Sequence, residues 1–208
     1  MFGLKLQDFW TARKSPVEGA LAADALVDSY AEALPSDGIV AGTRIATEAG
    51  WRPVEALAPG DRVMTFDHGV QELLHIERIR LGAVPRAILV PQQALGNATA
   101  LLLLGDQSVM VESNLAEAAF GDPFVLVPAE VLEGFRGIEA VTPDRELEIF
   151  RLQFAAPEVV YANGFGLIHC GGGAVDPVEV EAPAYPLLPR EAARMVVEAL
   201  IEEEAATC

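Results

Sequence analysis

The sequence predicts a mainly β domain with a helical extension at each end. Three kinds of segment follow one another along the 208 residues: helical periodicity, then short apolar runs, then an amphipathic stretch. With 51% hydrophobic residues, the chain has enough apolar material for the core of one ordinary domain. We expect four parts: a helical N-terminal extension over 1–36, a β domain over 37–170, an acidic linker rich in Pro and Gly over 171–188, and an amphipathic helix over 189–208.

The central part has the sequence rhythm of β-structure. Short apolar runs, "DRVMTF", "RAILV", "ALLLL", "SVMVE" and "PFVLV", are separated by Gly, Pro, Asn and Asp. No regular alternation of strands with long helices occurs, as a parallel α/β sheet would require. "FDHGV" lies between two such runs and predicts a tight turn in which Gly69 adopts positive φ, with His68 a structural turn residue.

The N-terminal extension predicts two helices. Apolar side chains recur at helical spacing in its first ten residues, at Phe2, Leu6, Phe9 and Trp10. The segment "SPVE", Ser15 to Glu18, has the pattern of a capping box and predicts a second helix from Pro16 to about Leu34. The apolar stripe needs a cover, so the extension is either packed on the central domain or an amphipathic docking element.

The C-terminal stretch predicts a third helix. Apolar residues follow the i, i+3, i+4, i+7, i+8 pattern at Ala193, Val196, Val197, Leu200 and Ile201. Such a helix either caps the β domain or associates with a second copy of the chain.

The charge balance excludes whole classes of partner. The chain has 31 acidic and 14 basic residues, a net charge of −17, which repels nucleic acid and anionic lipid. The two cysteines, Cys170 and Cys208, cannot form a disulfide framework. No apolar run is long enough for a membrane span, and the N-terminus lacks the pattern of a signal peptide. We therefore expect a cytoplasmic protein, with export through a C-terminal signal as the alternative.

One ordered series of motifs carries a family resemblance. "AGTRIAT", "RPVEALAPGDRVMTFDHGVQ", "LLLLGDQSVMVES" and "FVLVPAEVL" together resemble the Hint (Hedgehog/intein) domains, in a bacterial subgroup. The resemblance implies a compact, flattened β-fold with pseudo-twofold symmetry, in which an N-terminal nucleophile lies close to the C-terminal end of the domain.

The resemblance implies catalytic residues that this sequence replaces with others. The family begins with a Cys or Ser that attacks the preceding carbonyl, and the matching residue is Gly38, which has no side chain. A Thr-x-x-His motif then supplies a histidine that polarises the scissile amide. The alignment places Gly105 on the threonine and Ser108 on the histidine, and serine does not titrate near neutral pH.

The closing segment "EIFRLQFAAPEVVYANGFGLIHC" resembles the last blocks of the family. Arg151 lies where the family has Asp, and Asn163 and Gly164 match an "NG" pair. His169 matches the penultimate histidine if one extra residue is allowed, and Cys170 follows where inteins have Asn. Adjacent strand residues point to opposite faces, so we do not expect His169 to activate the Cys170 thiol.

The resulting hypothesis is a catalytically inactive Hint-fold protein that serves as a binding or structural module. Its expected partners are a protein or peptide in the groove where the two chain ends meet, or a second copy through the terminal helices. We expect no cofactor, and the spacing of His and Cys does not indicate a metal site. The alternative is a self-cleaving protein that uses a non-standard nucleophile, Ser36 or Cys170.

Overall fold

The computed structural model describes residues 37–171 and 184–207. The predicted helices of residues 1–36, Ser36 itself, most of the predicted linker and Cys208 lie outside the described residues. Those described form two antiparallel sheets followed by a C-terminal helix. The predicted mainly β fold is confirmed, whereas the predicted boundaries of the four parts stay predictions.

The described residues contain fourteen strands, two α-helices and three short 3-10 helices. The strands are β1 (Ile39–Val40), β2 (Arg44–Thr47), β3 (Gly50–Pro53), β4 (Arg62–Thr65), β5 (Gly69–Glu72), β6 (His75–Leu81), β7 (Ala87–Val90), β8 (Leu101–Leu103), β9 (Ser108–Glu112), β10 (Phe124–Pro128), β11 (Glu139–Val141), β12 (Leu147–Gln153), β13 (Glu158–Ala162) and β14 (Gly166–Cys170). The α-helices are α1 (Asn114–Phe120) and α2 (Arg190–Thr207). The 3-10 helices are Val54–Ala56, Ala129–Leu132 and Phe135–Gly137.

The two sheets combine strands that are far apart in sequence. The six-stranded sheet has the order β11-β7-β8-β1-β12-β6. The eight-stranded sheet has the order β10-β9-β14-β13-β2-β4-β5, with β3 paired to β2. The first and last strands of the β domain, β1 and β14, therefore belong to different sheets.

One apolar core joins the sheets. Its largest cluster of buried side chains includes Ile39 and Leu103 from the six-stranded sheet, Val160 and Ile168 from the eight-stranded sheet, and Val196 from α2. Strands with one face in this core alternate as their pleat requires: β14 has its first, third and fifth residues buried. Burial of such apolar faces is the main favourable contribution to folding.

The predicted turn at "FDHGV" is confirmed. Strand β4 ends at Thr65, β5 begins at Gly69, and Gly69 has φ +66°. The Thr65 hydroxyl donates to the Gly69 carbonyl at 3.0 Å and closes the hairpin. The turn carries His68, whose partner is described with the site below.

The C-terminal helix packs on the β domain through only part of its predicted stripe. Ala193, Val196 and Val197 are buried, against β10 and the 3-10 helix Ala129–Leu132. Leu200 is half-buried, and Ile201 is 42% exposed, because Ile201 faces an open depression that it shares with charged side chains. Within the described ranges, neither α-helix combines the length and apolar character needed to cross a bilayer.

We predict that Val196→Asp destabilises the protein by about 3 kcal/mol or more, because it places an unpaired carboxylate in the core. Urea denaturation followed by circular dichroism measures the change. Met195→Asp is the matched control, since Met195 is 40% exposed on the same helix, and it should change the free energy of unfolding by no more than about 0.5 kcal/mol. Equal effects of the two substitutions would mean that α2 does not pack as described.

Candidate active site

Gly38 lies at the point where the described chain enters the β domain. The pairing of Ile39 with Phe150 and of Val40 with Ile149, extended by one residue, places Arg151 opposite Gly38. Gly38 is buried, with φ +131°, a backbone conformation that residues with a side chain rarely adopt. The position of Gly38 thus depends on its being glycine.

The buried side chain of Gln107 binds the backbone at this point. Its Oε1 accepts a hydrogen bond from the Gly38 amide at 3.0 Å. Its Nε2 donates to the carbonyl of His169 at 2.9 Å and to the carbonyl of Ser108 at 3.1 Å. The side-chain carboxamide of Gln107 therefore connects the residue before β1 with the C-terminal end of β14.

A cavity of about 250 Å³, here named the junction cavity, opens at this meeting point. It brings together four of the residues predicted from the sequence: Gly38, Arg151, His169 and Cys170. The remaining lining residues are Asp37, Ile39, Gln107, Phe150, Leu152, Gln153 and Gly171. Both ends of the described β domain, Asp37 and Gly171, thus border one cavity.

Arg151 neutralises carboxylates at the mouth of the junction cavity. Its guanidinium forms an ion pair with Asp37, the residue before Gly38, and lies 3.7 Å from a carboxylate oxygen of Glu77. The Nε atom of Arg151 is buried and has no hydrogen-bond partner among the described residues. The Arg151 guanidinium therefore lies between the carboxylates of Asp37 and Glu77, and its Nε–H donor has no described acceptor.

His169 and Cys170 are both held in their neutral forms. Burial lowers the pKa of His169, although the charge of Asp37 opposes the shift. Burial also raises the pKa of the Cys170 thiol to about 12, with smaller contributions from Glu158 and Asp37. The site thus contains an uncharged imidazole, whose Nε2 is buried without a partner in the described structure, and a protonated thiol.

The space beside Gly38 is filled by Ile149. A Cβ atom built on Gly38 would lie 2.9 Å from Cδ1 and 3.3 Å from Cβ of Ile149. Ile149 is fully buried in a small apolar cluster with Val40 and Leu104. A side chain at position 38 would therefore require Ile149 to move within a packed core.

Comparison with known proteins identifies the family of this arrangement. The family model described as the Hint domain (Hint_2) matches residues 38–167, more than half of the chain. The chain belongs to the Hint domain family.

Solved structures of intein-like proteins resemble this chain at low sequence identity. A bacterial intein-like domain from Clostridium thermocellum is 15% identical, with a TM-score of 0.49, and the match covers 65% of this chain and 99% of that one. A splice-inactive variant of the AceL NrdHF class 3 split intein is 13% identical, with a TM-score of 0.48, over 66% of this chain and 99% of the other. Comparison with curated proteins gives no significant match.

Three predicted site residues of this Hint domain lie away from the junction cavity lining. Gly105 borders Glu130, whose backbone amide donates to the Gly105 carbonyl at 3.0 Å. Ser108 contributes only its carbonyl, which Gln107 binds. Asn163 lies in the turn that joins β13 to β14, at the far end of β14 from Cys170.

Asn163 holds this turn of the Hint domain by three kinds of contact. Its Oδ1 accepts from the Arg44 amide at 2.7 Å, its Nδ2 donates to the Ala100 carbonyl at 2.9 Å, and its own amide donates to the Arg44 carbonyl at 2.8 Å. It adopts φ +46°, which asparagine tolerates better than most residues. The "NG" pair is therefore structural in this geometry.

Gln107 and Ile149 are site residues that the sequence did not predict. The available signal for Gln107 was weak: a polar residue after the apolar run Leu101–Leu104, one position before the expected histidine site at Ser108. Nothing in the sequence pattern indicated that Ile149 faces Gly38, since the two are diagonal neighbours across the β1–β12 pair, in which Ile149 lies opposite Val40.

His68 supports the Hint domain from its turn. Its Nδ1 lies 3.1 Å from both carboxylate oxygens of Glu158, which is buried and pairs across the sheet with Cys170. In the described residues, no group of three or more His, Cys, Asp or Glu side chains has the geometry of a metal site. The histidine of the "DHG" motif thus balances a buried carboxylate.

We predict that Gln107→Leu destabilises the protein by about 2–4 kcal/mol, because it leaves the Gly38 amide and the His169 carbonyl without their partner. The measurement is urea denaturation. Gln153→Leu is the control in the same cavity, because Gln153 is half-buried and contributes no side-chain hydrogen bond there; its effect should stay within about 0.5 kcal/mol. A Gln107 variant as stable as the control would contradict this role.

We predict that His68 stabilises the protein more at low pH than at high pH. The hydrogen bond with Glu158, and secondly its charge, raise the pKa of His68. The contribution is therefore complete below the ordinary histidine pKa of about 6.5 and lost as pH rises through the higher folded-state pKa. Urea denaturation across this range, comparing wild type with His68→Ala, measures the difference.

His75→Ala is the control for this pH series. It removes another exposed histidine, the first residue of β6, and leaves the Glu158 contact in place. A pH-independent difference between wild type and His68→Ala would show that the contact does not involve the charged imidazole.

Proposed function

We propose that this chain is a Hint domain that neither cleaves nor splices itself and serves as a structural or binding module. One observation carries the proposal: position 38 has no side chain, and Ile149 fills the space that a nucleophile would need. Without a sulfur or oxygen on Cβ, the preceding carbonyl cannot be attacked from this residue.

Gln107 supports the same conclusion from the other side of the scissile position. Its contact with the Gly38 amide is the one expected of the family's histidine, so we assign Gln107, rather than Ser108, to that place. Leu104 then takes the place of the threonine. A carboxamide cannot supply a proton at neutral pH, so general acid catalysis is lost while the hydrogen bond is kept.

The contacts of Gln107 and Arg151 at the junction cavity suit a structural role, because they hold the two ends of the described β domain together. Gln107 joins the two sheets, and Arg151 fixes Asp37 at the domain entry. Arg151 and His169 line the junction cavity, and each has one buried nitrogen without a described partner, Arg151 Nε and His169 Nε2. A guanidinium beside a small cavity would suit a backbone carbonyl of a bound peptide.

Self-cleavage through Cys170 or Ser36 is the second candidate. The observation that favours it is the presence of His169 and Cys170 in the same cavity as the Asp37–Gly38 bond. The raised pKa of the buried Cys170 thiol opposes it, because the thiolate is the reactive form. Ser36 lies outside the described residues.

We predict that the freshly expressed full chain keeps its intact mass and that Gly38→Cys does too. The new thiol would meet Ile149, would occupy an unfavourable φ and would lack the acid that Gln107 replaces. Intact-mass spectrometry, with and without hydroxylamine, measures cleavage at residue 37. Gly38→Ala is the matched control, since it introduces the same Cβ without sulfur.

Two further variants separate the alternatives. Ser36→Ala and Cys170→Ser should each give a single species at the intact mass of the variant if the domain is inactive. A wild-type fragment that ends at residue 35 and disappears in Ser36→Ala, or one that ends at residue 37 or 169 and disappears in Cys170→Ser, would overturn the proposal and identify the nucleophile.

A further inference from the structure

A second cavity lies at the other end of the β9–β14 pair. Strand β14 runs from Gly166 to Cys170, so the junction cavity lies at its C-terminal end and this second cavity, here named the distal cavity, at its N-terminal end. The distal cavity has a volume of about 390 Å³, within the range of ligand-binding clefts. Its wall combines the apolar side chains of Leu95, Met110, Phe124, Phe135, Leu167 and Leu200 with polar and charged ones, among them Glu112, Asn114, Arg136 and Glu203.

The mouth of the distal cavity exposes a large aromatic ring. Phe165, in the β13–β14 turn, is 74% exposed, whereas the other exposed large apolar side chains in the described residues are at most 46% exposed. Ser113 lines the cavity, and its buried Oγ atom has no described hydrogen-bond partner. An exposed aromatic ring that continues the apolar side chains of a cavity offers a surface that another segment can cover.

The apolar character and the positive charge of the N-terminal segment match the distal cavity. Its predicted stripe of Phe2, Leu6, Phe9 and Trp10 is apolar and needs a cover. Residues 1–14 contain three basic side chains and one acidic one, a net charge of +2 in a chain whose total is −17. Glu112 lies exposed at the distal cavity and forms no ion pair with a described residue, so it offers a complementary charge.

The chain between the N-terminal stripe and Asp37 is long enough for the stripe to reach the distal cavity. The described chain begins at Asp37 beside the junction cavity, and the five residues of β14 that separate the cavities span about 17 Å at ~3.4 Å per residue. Residues 15–36 number 22, which cover about 33 Å even if every residue is helical at ~1.5 Å. The stripe therefore reaches the distal cavity within one molecule.

We propose that the N-terminal segment, residues 2–10, docks in the distal cavity of its own chain, with its apolar stripe against Phe165, Leu167 and Leu200. Its basic side chains then lie toward Glu112. The occupant of the cavity is thus the chain itself, and the inference rests on the proposed function in one respect, that the chain stays intact at residue 37, which the intact mass checks separately. The experiment below uses the full chain.

Trp10 reports on docking in a Trp51→Phe background, since these are the two tryptophans of the chain. We expect Trp10 to be protected from acrylamide, and Phe165→Glu to raise its quenching constant severalfold, toward the value of the chain unfolded in urea. Leu74→Glu is the matched control, because Leu74 is 46% exposed and does not line the distal cavity; it should leave the quenching unchanged. Circular dichroism verifies that both variants fold.

Zero-length carbodiimide cross-linking of the wild-type chain tests the location directly. We expect an amide link from Lys5 or Lys14 to Glu112 in the monomer, lost in Glu112→Gln, and a monomeric mass by light scattering. Free quenching of Trp10 in the Trp51→Phe background, or an equal effect of Phe165→Glu and Leu74→Glu there, would overturn the proposal. Links found only in a dimer would overturn it in favour of a second copy as the occupant.

Discussion

The Gln107 carboxamide is the contact on which the closure of this Hint domain depends. It precedes β9 in the eight-stranded sheet, yet it accepts from Gly38 at the start of β1 in the six-stranded sheet and donates to His169 in β14. One side chain thereby joins both sheets where the two ends of the domain meet. Because an amide does not titrate, this closure is insensitive to pH, unlike one made by an imidazole.

The residues packed around Gly38 depend on one another. Glycine at 38 leaves room for Ile149, and Ile149 in turn packs with Val40 and Leu104 in a dry cluster. A leucine at 104 suits that cluster, whereas a hydroxyl there would need a buried hydrogen-bond partner. A side chain at position 38 or a hydroxyl at position 104 would therefore disturb the packing of the other residues, since contacting core residues do not act independently.

The sequence predicted those features that local chemistry controls. Gly69 had to adopt positive φ in its turn, and Ala193, Val196 and Val197 had to face a core because of their spacing. The position of Gln107 was not predictable, since its contact with Gly38 spans 69 residues and depends on how two sheets meet. The exposure of Ile201 was also missed, because periodicity shows which side chains share a face and not how far the covering surface extends.

Docking of the N-terminal segment requires only weak contacts. The segment is joined to the domain at Asp37, so binding is intramolecular and occurs at an effective concentration on the order of millimolar. An affinity of about 1 mM, which separate molecules could scarcely use, would then already populate the docked state. The ion pair of Asp37 with Arg151 and the hydrogen bond of Gly38 fix the direction in which the chain leaves the domain. The contacts at the junction cavity therefore help to determine which surface the N-terminal segment can reach.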